Sequence, residues 1–222
     1  MTTPEIIQTI AIYAIPVLFA ISLHEAAHGY VARYFGDPTA ANEGRLSLNP
    51  IRHIDPFGTI LLPLALQLMQ IVPIGYAKPV PVDFNRLRNP KKQMAFVALA
   101  GPMANFAMGL GWALFGILIT KFGMQEPFFY GMVKAGIGVN AAMCVFNLIP
   151  IPPLDGGRVM TSLLPMPLAV RFARIERYSL FVFIGLIALM QFRMLDGVLL
   201  AGMRVVVSLF ALILSPLTLL LN

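Results

Sequence analysis

Residues 6–28 read IIQTIAIYAIPVLFAISLHEAAH. The first eighteen of them carry no charge, and two histidines and a glutamate follow at once. A helix needs about 20 apolar residues, at a rise of about 1.5 Å each, to cross the hydrocarbon core of a bilayer. Together with the motif that follows it, this stretch is long enough to cross. We expect the helix to run to about Phe35, because Gly36 and Pro38 follow and disfavour its continuation.

Apolar runs recur along the whole chain. Hydrophobic residues make up 58% of the 222 residues and charged residues 12%, about half of the charge that a soluble domain carries. The runs cover residues 6–23, 60–72, 94–120, 131–150, 180–190 and 197–221. The second and fifth runs are short for a span. The sequence therefore predicts an all-α polytopic membrane protein, a bundle of about five to six transmembrane helices in a single domain over residues 1–222.

The distribution of Lys and Arg predicts the orientation, because membrane proteins collect these residues on the cytoplasmic side. If the first helix runs from outside to inside, twelve of the sixteen Lys and Arg residues fall in inner segments. This holds only if residues 60–72, which contain Pro63, enter and leave by the same face, so we predict a re-entrant element there. No basic run alternates with aromatic residues, so the net charge of +6 does not indicate a nucleic-acid partner.

His24, Glu25 and His28 form the pattern HExxH,. On a helix, positions i and i+4 project in nearly the same direction, so both imidazoles can reach one ion. Glu25 lies about 100° round the helix from His24, where it can take a proton from water beside the metal. Three ionisable groups at the end of an apolar run are costly in a membrane unless they serve a function. The pattern predicts a metal site.

A catalytic zinc ion takes three protein ligands and keeps one position open. Asp155 lies where prolines and glycines interrupt an apolar helix, in NLIPIPPLDGGR at residues 147–158, and we expect the chain to stay irregular up to Pro167. Irregular backbone at membrane depth is tolerated only where it lines a cavity or is buried in protein, so we favour Asp155 as the third ligand. His53 is the alternative, although we interpret it as an interfacial or capping histidine.

Asn105 and Asn147 are further candidates for residues of the active site. Asn105 shares a helix face with Gly101 and Gly109, and small residues let helices approach closely in lipid, so Asn105 could reach the site or the substrate backbone. Asn140 and Asn147 share a face of the next apolar helix. We expect Asn140 to hydrogen-bond between helices, and Asn147, one turn before the break, to orient the substrate or an oxyanion.

Three motifs together resemble those of the site-2 protease family. They are HEAAH in the first apolar helix, GPMAN at residues 101–105, and NLIPIPPLDGGR at the end of a third helix. Members of this family are intramembrane zinc metalloproteases that cut transmembrane segments of other proteins. The resemblance spans residues 21–158. The chain shows no inserted PDZ-like or nucleotide-sensing domain, which some members of the family have. It places the catalytic core at about residues 6–160, with additional helices at about 178–221.

The resemblance also implies which residues carry the chemistry. His24, His28 and Asp155 match the ligands of one zinc ion per chain, and Glu25 matches the catalytic base. The implied partners are a transmembrane protein substrate and the lipid bilayer, with no nucleic acid. The implied location is the cell (plasma) membrane, with the active site toward the cytoplasm.

Residues 75–82, GYAKPVPV, are predicted to form an edge strand that pairs with the substrate. A transmembrane helix must become extended before cleavage, and its freed backbone groups then need partners. A strand edge supplies them. Pro79 and Pro81 remove donors from one side, which leaves the N–H groups of Tyr76, Lys78 and Val80 on the other side. A proline-rich interfacial loop is the alternative.

Other functional classes fit the sequence less well. A membrane metal-ion transporter is the main alternative, because intramembrane His and Asp also mark ion pathways. A transporter would place metal ligands at successive depths in the membrane, whereas His24, His28 and Asp155 are expected to converge on a single depth. A catalytically dead scaffold would lack Glu25 or a ligand, and none is missing. The single cysteine, Cys144, excludes a Cys-rich metal site and is interpreted as a small apolar filler.

Overall fold

The structure is a computed structural model that describes residues 3–69, 75 and 78–221. These residues form helices and connecting segments, with no β-strand among them. The α-helices are α1 (Thr3–Tyr34), α2 (Thr39–Asn42), α3 (Leu62–Leu68), α4 (Pro90–Lys121), α5 (Pro127–Asn147), α6 (Asp155–Leu163), α7 (Met166–Ala173), α8 (Ser179–Gln191) and α9 (Asp196–Leu221). Short 3₁₀ or π segments cover Pro50–His53, Pro56–Leu61, Phe84–Arg86 and Arg174–Tyr178.

Four helices of the described chain are long and apolar enough to cross a membrane. They are Ile7–Tyr34 within α1, Pro90–Lys121, Pro127–Asn147 and Asp196–Leu220. The predicted all-α membrane fold is therefore confirmed. Helix α8 has 13 residues and is about 20 Å long, which is less than the roughly 30 Å of the hydrocarbon core. The predicted count of five to six crossings stays a prediction.

Helices α1, α4 and α5 pack against one another, α9 packs against α4 and α5, and α6 packs against α4. Glycines make these close approaches possible. A Cβ atom on Gly109 would lie 2.6 Å from Cζ of Phe210, and one on Gly136 would overlap the ring of Trp112. Helix association in lipid rests largely on van der Waals packing, which small interface residues favour. Cys144 is buried beside Phe210, as expected of an apolar filler.

The C-terminal end of α1 and the N-terminal end of α4 lie side by side. The backbone N–H of Arg88 donates to the carbonyl of Phe35 at 3.0 Å, and its Nη2 donates to the carbonyl of Tyr34 at 2.7 Å. The buried carboxylate of Asp37 accepts from the backbone N–H of Asp83 at 2.7 Å. The segment that connects α1 to α4 therefore starts and ends at the same end of the bundle.

The stretch after α5 is more regular than the sequence predicted. The expectation that it stays irregular up to Pro167 is wrong, because α6 begins at Asp155 and α7 at Met166. A Cβ atom on Gly156 would overlap the carbonyl of Leu148, and one on Gly157 would overlap the backbone of Pro152. The two glycines therefore let α6 begin directly against the turn that precedes it.

Candidate metal centre

The side chains of His24, His28 and Asp155 meet where α1 faces the first turn of α6. Oδ2 of Asp155 lies 3.2 Å from Nε2 of His24 and 3.4 Å from Nε2 of His28, and the two Nε2 atoms are 3.1 Å apart. All three side chains are buried. In the part of the chain that the structure describes, they are the one group of His, Cys, Asp or Glu side chains arranged to hold a metal ion.

The hydrogen-bond partners of the two imidazoles decide where their protons lie. Nδ1 of His28 lies 2.7 Å from the carbonyl oxygen of Val97, which can only accept,. Nδ1 of His24 lies 2.6 Å from Oδ1 of Asn105, whose amide nitrogen donates to the carbonyl of Ala20 at 3.0 Å. That donation assigns the amide orientation. Both rings therefore donate from Nδ1, and each neutral ring directs the lone pair of Nε2 into the cluster.

The cluster suits a cation. Among the described residues, no donor reaches Oδ2 of Asp155 with hydrogen-bond geometry. Two nitrogen lone pairs and a carboxylate oxygen, 3.1–3.4 Å apart, repel one another unless a positive charge lies between them. Ligands about 2.0–2.1 Å from a tetrahedral zinc ion lie about 3.3 Å from one another, so these residues fit zinc.

Gly101 of α4 leaves the space in which the two imidazoles lie. A Cβ atom at this position would overlap Nε2 of His28 and would lie 2.6 Å from both Cε1 and Nε2 of His24. Contacts this short are almost never seen for real Cβ atoms, so any side chain here would displace the rings. The close helix approach predicted for Gly101 is confirmed, and the groups it accommodates are the histidine rings.

A pocket of about 240 Å³ opens beside the cluster. Glu25 and Asn147 line it, as do Arg158 and residues of the segment 79–84. Oε2 of Glu25 accepts a hydrogen bond of 2.9 Å from the backbone N–H of Val80. Three candidate ligand atoms and a carboxylate thus border a space that is large enough to hold water,. This is the arrangement that metal-assisted hydrolysis requires.

The comparison with known proteins agrees with this geometry. The chain is 35% identical over 209 residues to "Putative zinc metalloprotease YwhC" of Bacillus subtilis (strain 168), and the match covers 91% of this chain and 92% of the relative. The chain belongs to peptidase family M50, the site-2 proteases. The sequence profile of that family matches residues 129–190, which include Asn147 and Asp155 but not the histidines of α1.

Two further relatives match a smaller part of the chain. "Putative zinc metalloprotease Rip2" of Mycolicibacterium smegmatis is 29% identical over 140 residues, which are 63% of this chain and 52% of that protein. The Rip2 protein of Mycobacterium tuberculosis (strain H37Rv) is 30% identical over 144 residues, with the same coverage of 63% and 52%. The chain thus matches about half the length of the Rip2 proteins. No solved structure matches the chain.

In this M50 protein the three asparagines occupy different places. Asn105 is completely buried; it lies behind His24 and is not among the residues that line the pocket. Its amide nitrogen also donates to Oδ1 of Asn140 at 3.1 Å, so the interhelical hydrogen bond predicted for Asn140 is confirmed. Asn147 lines the pocket, and its Nδ2 donates to the carbonyl of Met143 at 3.0 Å.

His53 lies outside the group formed by His24, His28 and Asp155. It is buried in the 3₁₀ turn Pro50–His53, where its Nε2 lies 2.7 Å from the carbonyl oxygen of Ser47. Its own carbonyl accepts from the backbone N–H of Lys78 at 3.0 Å. The structure therefore does not bring His53 into the group that could hold a metal ion, and its interpretation as an interfacial or capping histidine stays a prediction.

The segment 75–82 is irregular where the structure describes it, and its residues 76 and 77, including the predicted donor Tyr76, lie outside the described chain. The prediction that Lys78 and Val80 keep free backbone donors is wrong. The N–H of Lys78 is bonded as described above, and that of Val80 donates to Glu25. The alternation of prolines indicated which N–H groups exist. It could not indicate that a carboxylate from α1 would accept one of them.

Proposed function

We propose that the protein hydrolyses peptide bonds within or near transmembrane segments of other membrane proteins. In this proposal His24, His28 and Asp155 hold one zinc ion, and Glu25 is the catalytic base. The observation that carries the proposal is the convergence of three candidate ligand atoms beside a pocket that Glu25 lines. Both histidines and Glu25 lie on a helix that is long enough to cross a membrane. Membership of family M50 and the zinc-metalloprotease names of the relatives support it.

The chemistry divides between the metal and the chain. Zinc, when bound, would act as a Lewis acid that polarises the scissile carbonyl and makes the attacking water more acidic. Glu25 takes a proton from the water whose oxygen bonds to the carbonyl carbon. It then delivers that proton to the amide nitrogen as the C–N bond breaks. The products are one fragment with a new carboxyl end and one with a new amino end.

Two groups behind the histidines act as positioning groups. The Asn105 amide oxygen and the Val97 carbonyl oxygen each accept a hydrogen bond from Nδ1 of a ligand ring. Such partners fix the tautomer and the orientation of a metal-binding histidine and raise its basicity. Asn147 has a different place in the proposal, because it lines the pocket. One N–H of its amide is bonded to Met143, and the other is the donor that we assign to the substrate carbonyl.

The scissile bonds of a transmembrane helix lie within its own hydrogen-bond ladder. The substrate must therefore be extended where it reaches the cluster, and its freed backbone groups then need partners. Backbone pairing with residues 78–82 remains part of the proposal. Val82 is the remaining donor on the side of Val80, because it lines the pocket and no described residue accepts from its N–H.

The proposed topology places the active site on the cytoplasmic side of the plasma membrane, in one domain over residues 1–222. The adjacent ends of α1 and α4 support a re-entrant path for residues 60–72, as does the shortness of α3, which covers Leu62–Leu68. Helix α8 and the 3₁₀ segment before it cover Arg174–Gln191, about 30 Å in length. We assign α8 as a fifth crossing, from which α9 returns after a short turn.

The test of this function compares membrane-protein fragments in cells that express the wild-type protein with those in cells that express Glu25→Gln. Mass spectrometry of the membrane fraction should detect fragments with new ends inside or next to transmembrane segments only with the wild-type copy. The variant changes one carboxylate to an amide of the same size, so expression and folding are matched. The same fragments in both samples would overturn the proposed function.

A further inference from the structure

The hydrogen bond between Val80 and Glu25 joins residues 55 positions apart and belongs to no helix or strand. Its donor is a backbone N–H, and its acceptor is the carboxylate of the proposed base. Val80 is buried, so water has little access to compete for this donor. A hydrogen bond to a charged acceptor is about twice as strong as one between neutral groups. The contact therefore restrains the side chain of Glu25.

The segment that carries this donor is itself held from two sides. Nη2 of Arg45 donates to the carbonyls of Lys78 at 3.0 Å and Pro79 at 3.2 Å. The N–H of Lys78 donates to the carbonyl of His53 at 3.0 Å. These contacts tie the segment to the connection between α1 and α3, so the place of the donor does not depend on Glu25 alone.

Packing and local stiffness fix the same donor. A Cβ atom on Gly29 would lie 2.7 Å from Cγ1 of Val80, so the Val80 side chain packs on the backbone of α1 one turn after Glu25. Proline fixes its own φ and restricts the residue before it to extended conformations. Val80 lies between Pro79 and Pro81 and is restricted in this way.

We infer that the backbone N–H of Val80 is a positioning group for the catalytic base, and that residues 78–82 act on the chemical step through Glu25. This inference rests on the proposed function. A glutamate side chain has several rotatable bonds, and an unrestrained one occupies several rotamers. With Oε2 held by Val80, the carboxylate keeps one orientation, which leaves Oε1 for the attacking water. The same N–H cannot pair with a substrate while it holds Glu25.

The experiment removes this single N–H. Val80 is replaced by alanine in one protein and by lactic acid in a second. Lactic acid has the methyl side chain of alanine but forms a backbone ester instead of an amide, so the two proteins differ only in the N–H. The control is the same pair at Asn85, whose N–H donates to the exposed carboxylate of Asp83 at 3.1 Å. Full-length proteins are placed in lipid vesicles with zinc. For each one, kcat and KM for a transmembrane peptide, as well as zinc content, are measured.

We expect the ester at Val80 to lower kcat about ten- to hundredfold relative to Val80→Ala, a loss similar to that on removal of the groups that orient metal ligands. KM and zinc content should not change, and the ester at Asn85 should match Asn85→Ala. An increase in KM at constant kcat would show that the N–H pairs with the substrate and would overturn the inference. Equal kcat values for ester and amide, or loss of zinc from the ester, would also overturn it.

Failure of the positioning role of Val80 can be distinguished from failure of the proposed function. If Glu25→Gln retains cleavage, Glu25 is not the base, and the proposed function fails whatever the ester does. If Glu25→Gln is inactive and the Val80 ester retains full kcat, only the positioning role fails.

Discussion

Nδ1 of His24 donates to Oδ1 of Asn105 over 2.6 Å, between residues 81 positions apart in the chain. The bond joins α1 to α4 on the side of the ring opposite Nε2, the nitrogen that faces Asp155 and His28. Asn105 is completely buried and also donates to Ala20 and Asn140. Because its amide is held by two further partners, the orientation of the His24 ring depends on the packing of three helices.

Replacement of Asn105 by alanine should weaken zinc binding about ten- to hundredfold, because His24 loses the acceptor that fixes its tautomer and orientation. Competition with a chelator measures this affinity on the purified protein. Asn140→Ala is the control, since it removes a partner of Asn105 but no partner of His24, and its zinc affinity should change less. Wild-type affinity in Asn105→Ala would contradict the positioning role.

Gly101→Ala should abolish zinc binding, because its methyl group would occupy the place of the histidine rings. Gly111→Ala is a matched control on the same helix, where an added Cβ meets no atom within 4 Å. Alanine favours a helix over glycine, so neither change should unfold α4. Elemental analysis of both purified variants gives the zinc content. Similar zinc content in the two would show that the space at Gly101 is not required.

Asn147→Ala should lower kcat about a hundredfold with zinc retained, if the side chain donates to the carbonyl that gains negative charge. Its hydrogen bond to Met143 lies within one helix, and its loss should leave the fold intact. The measurement is kcat on a transmembrane peptide together with zinc content. An unchanged kcat would remove Asn147 from the reaction and leave it as a residue that lines the pocket.

Asn89 and Ala173 should lie on the same, cytoplasmic side of the membrane. This expectation rests on two observations: the ends of α1 and α4 are adjacent, and Lys and Arg residues are concentrated in the segments assigned to the cytoplasmic side. Single cysteines are placed at each position in a Cys144→Ala background and labelled in intact cells with an impermeant thiol reagent. Neither should react until the cells are opened. Labelling of Asn89→Cys alone in intact cells would mean that the short apolar segment between α1 and α4 spans the membrane.

The parts of the site that follow a local rule could be predicted from the sequence. The i, i+4 spacing of His24 and His28 puts both rings on one helix face, and the interrupted apolar helix singled out Asp155 among the carboxylates. The regularity of α6 was missed, because Gly156 and Gly157 are poor helix formers. Their missing side chains are what let α6 lie against the preceding backbone.

Contacts between distant segments could not be predicted. The sequence indicated that Val80 has a backbone donor, but its acceptor comes from another helix. Asn105 was expected near the site from its helix face, yet only the packing of α1 on α4 decides that its amide meets His24 and not the pocket. In both cases the decisive partner is set by how the helices pack.

The most direct test of the account is the zinc content of purified Glu25→Gln and Asp155→Ala, measured beside cleavage of a transmembrane peptide. Glu25→Gln should hold one zinc ion per chain and cleave nothing, because Glu25 moves protons and is not a ligand. Asp155→Ala should lose both zinc and cleavage, since it removes one of the three ligand atoms. A zinc-free Glu25→Gln protein, or one zinc ion per chain in Asp155→Ala, would contradict the account.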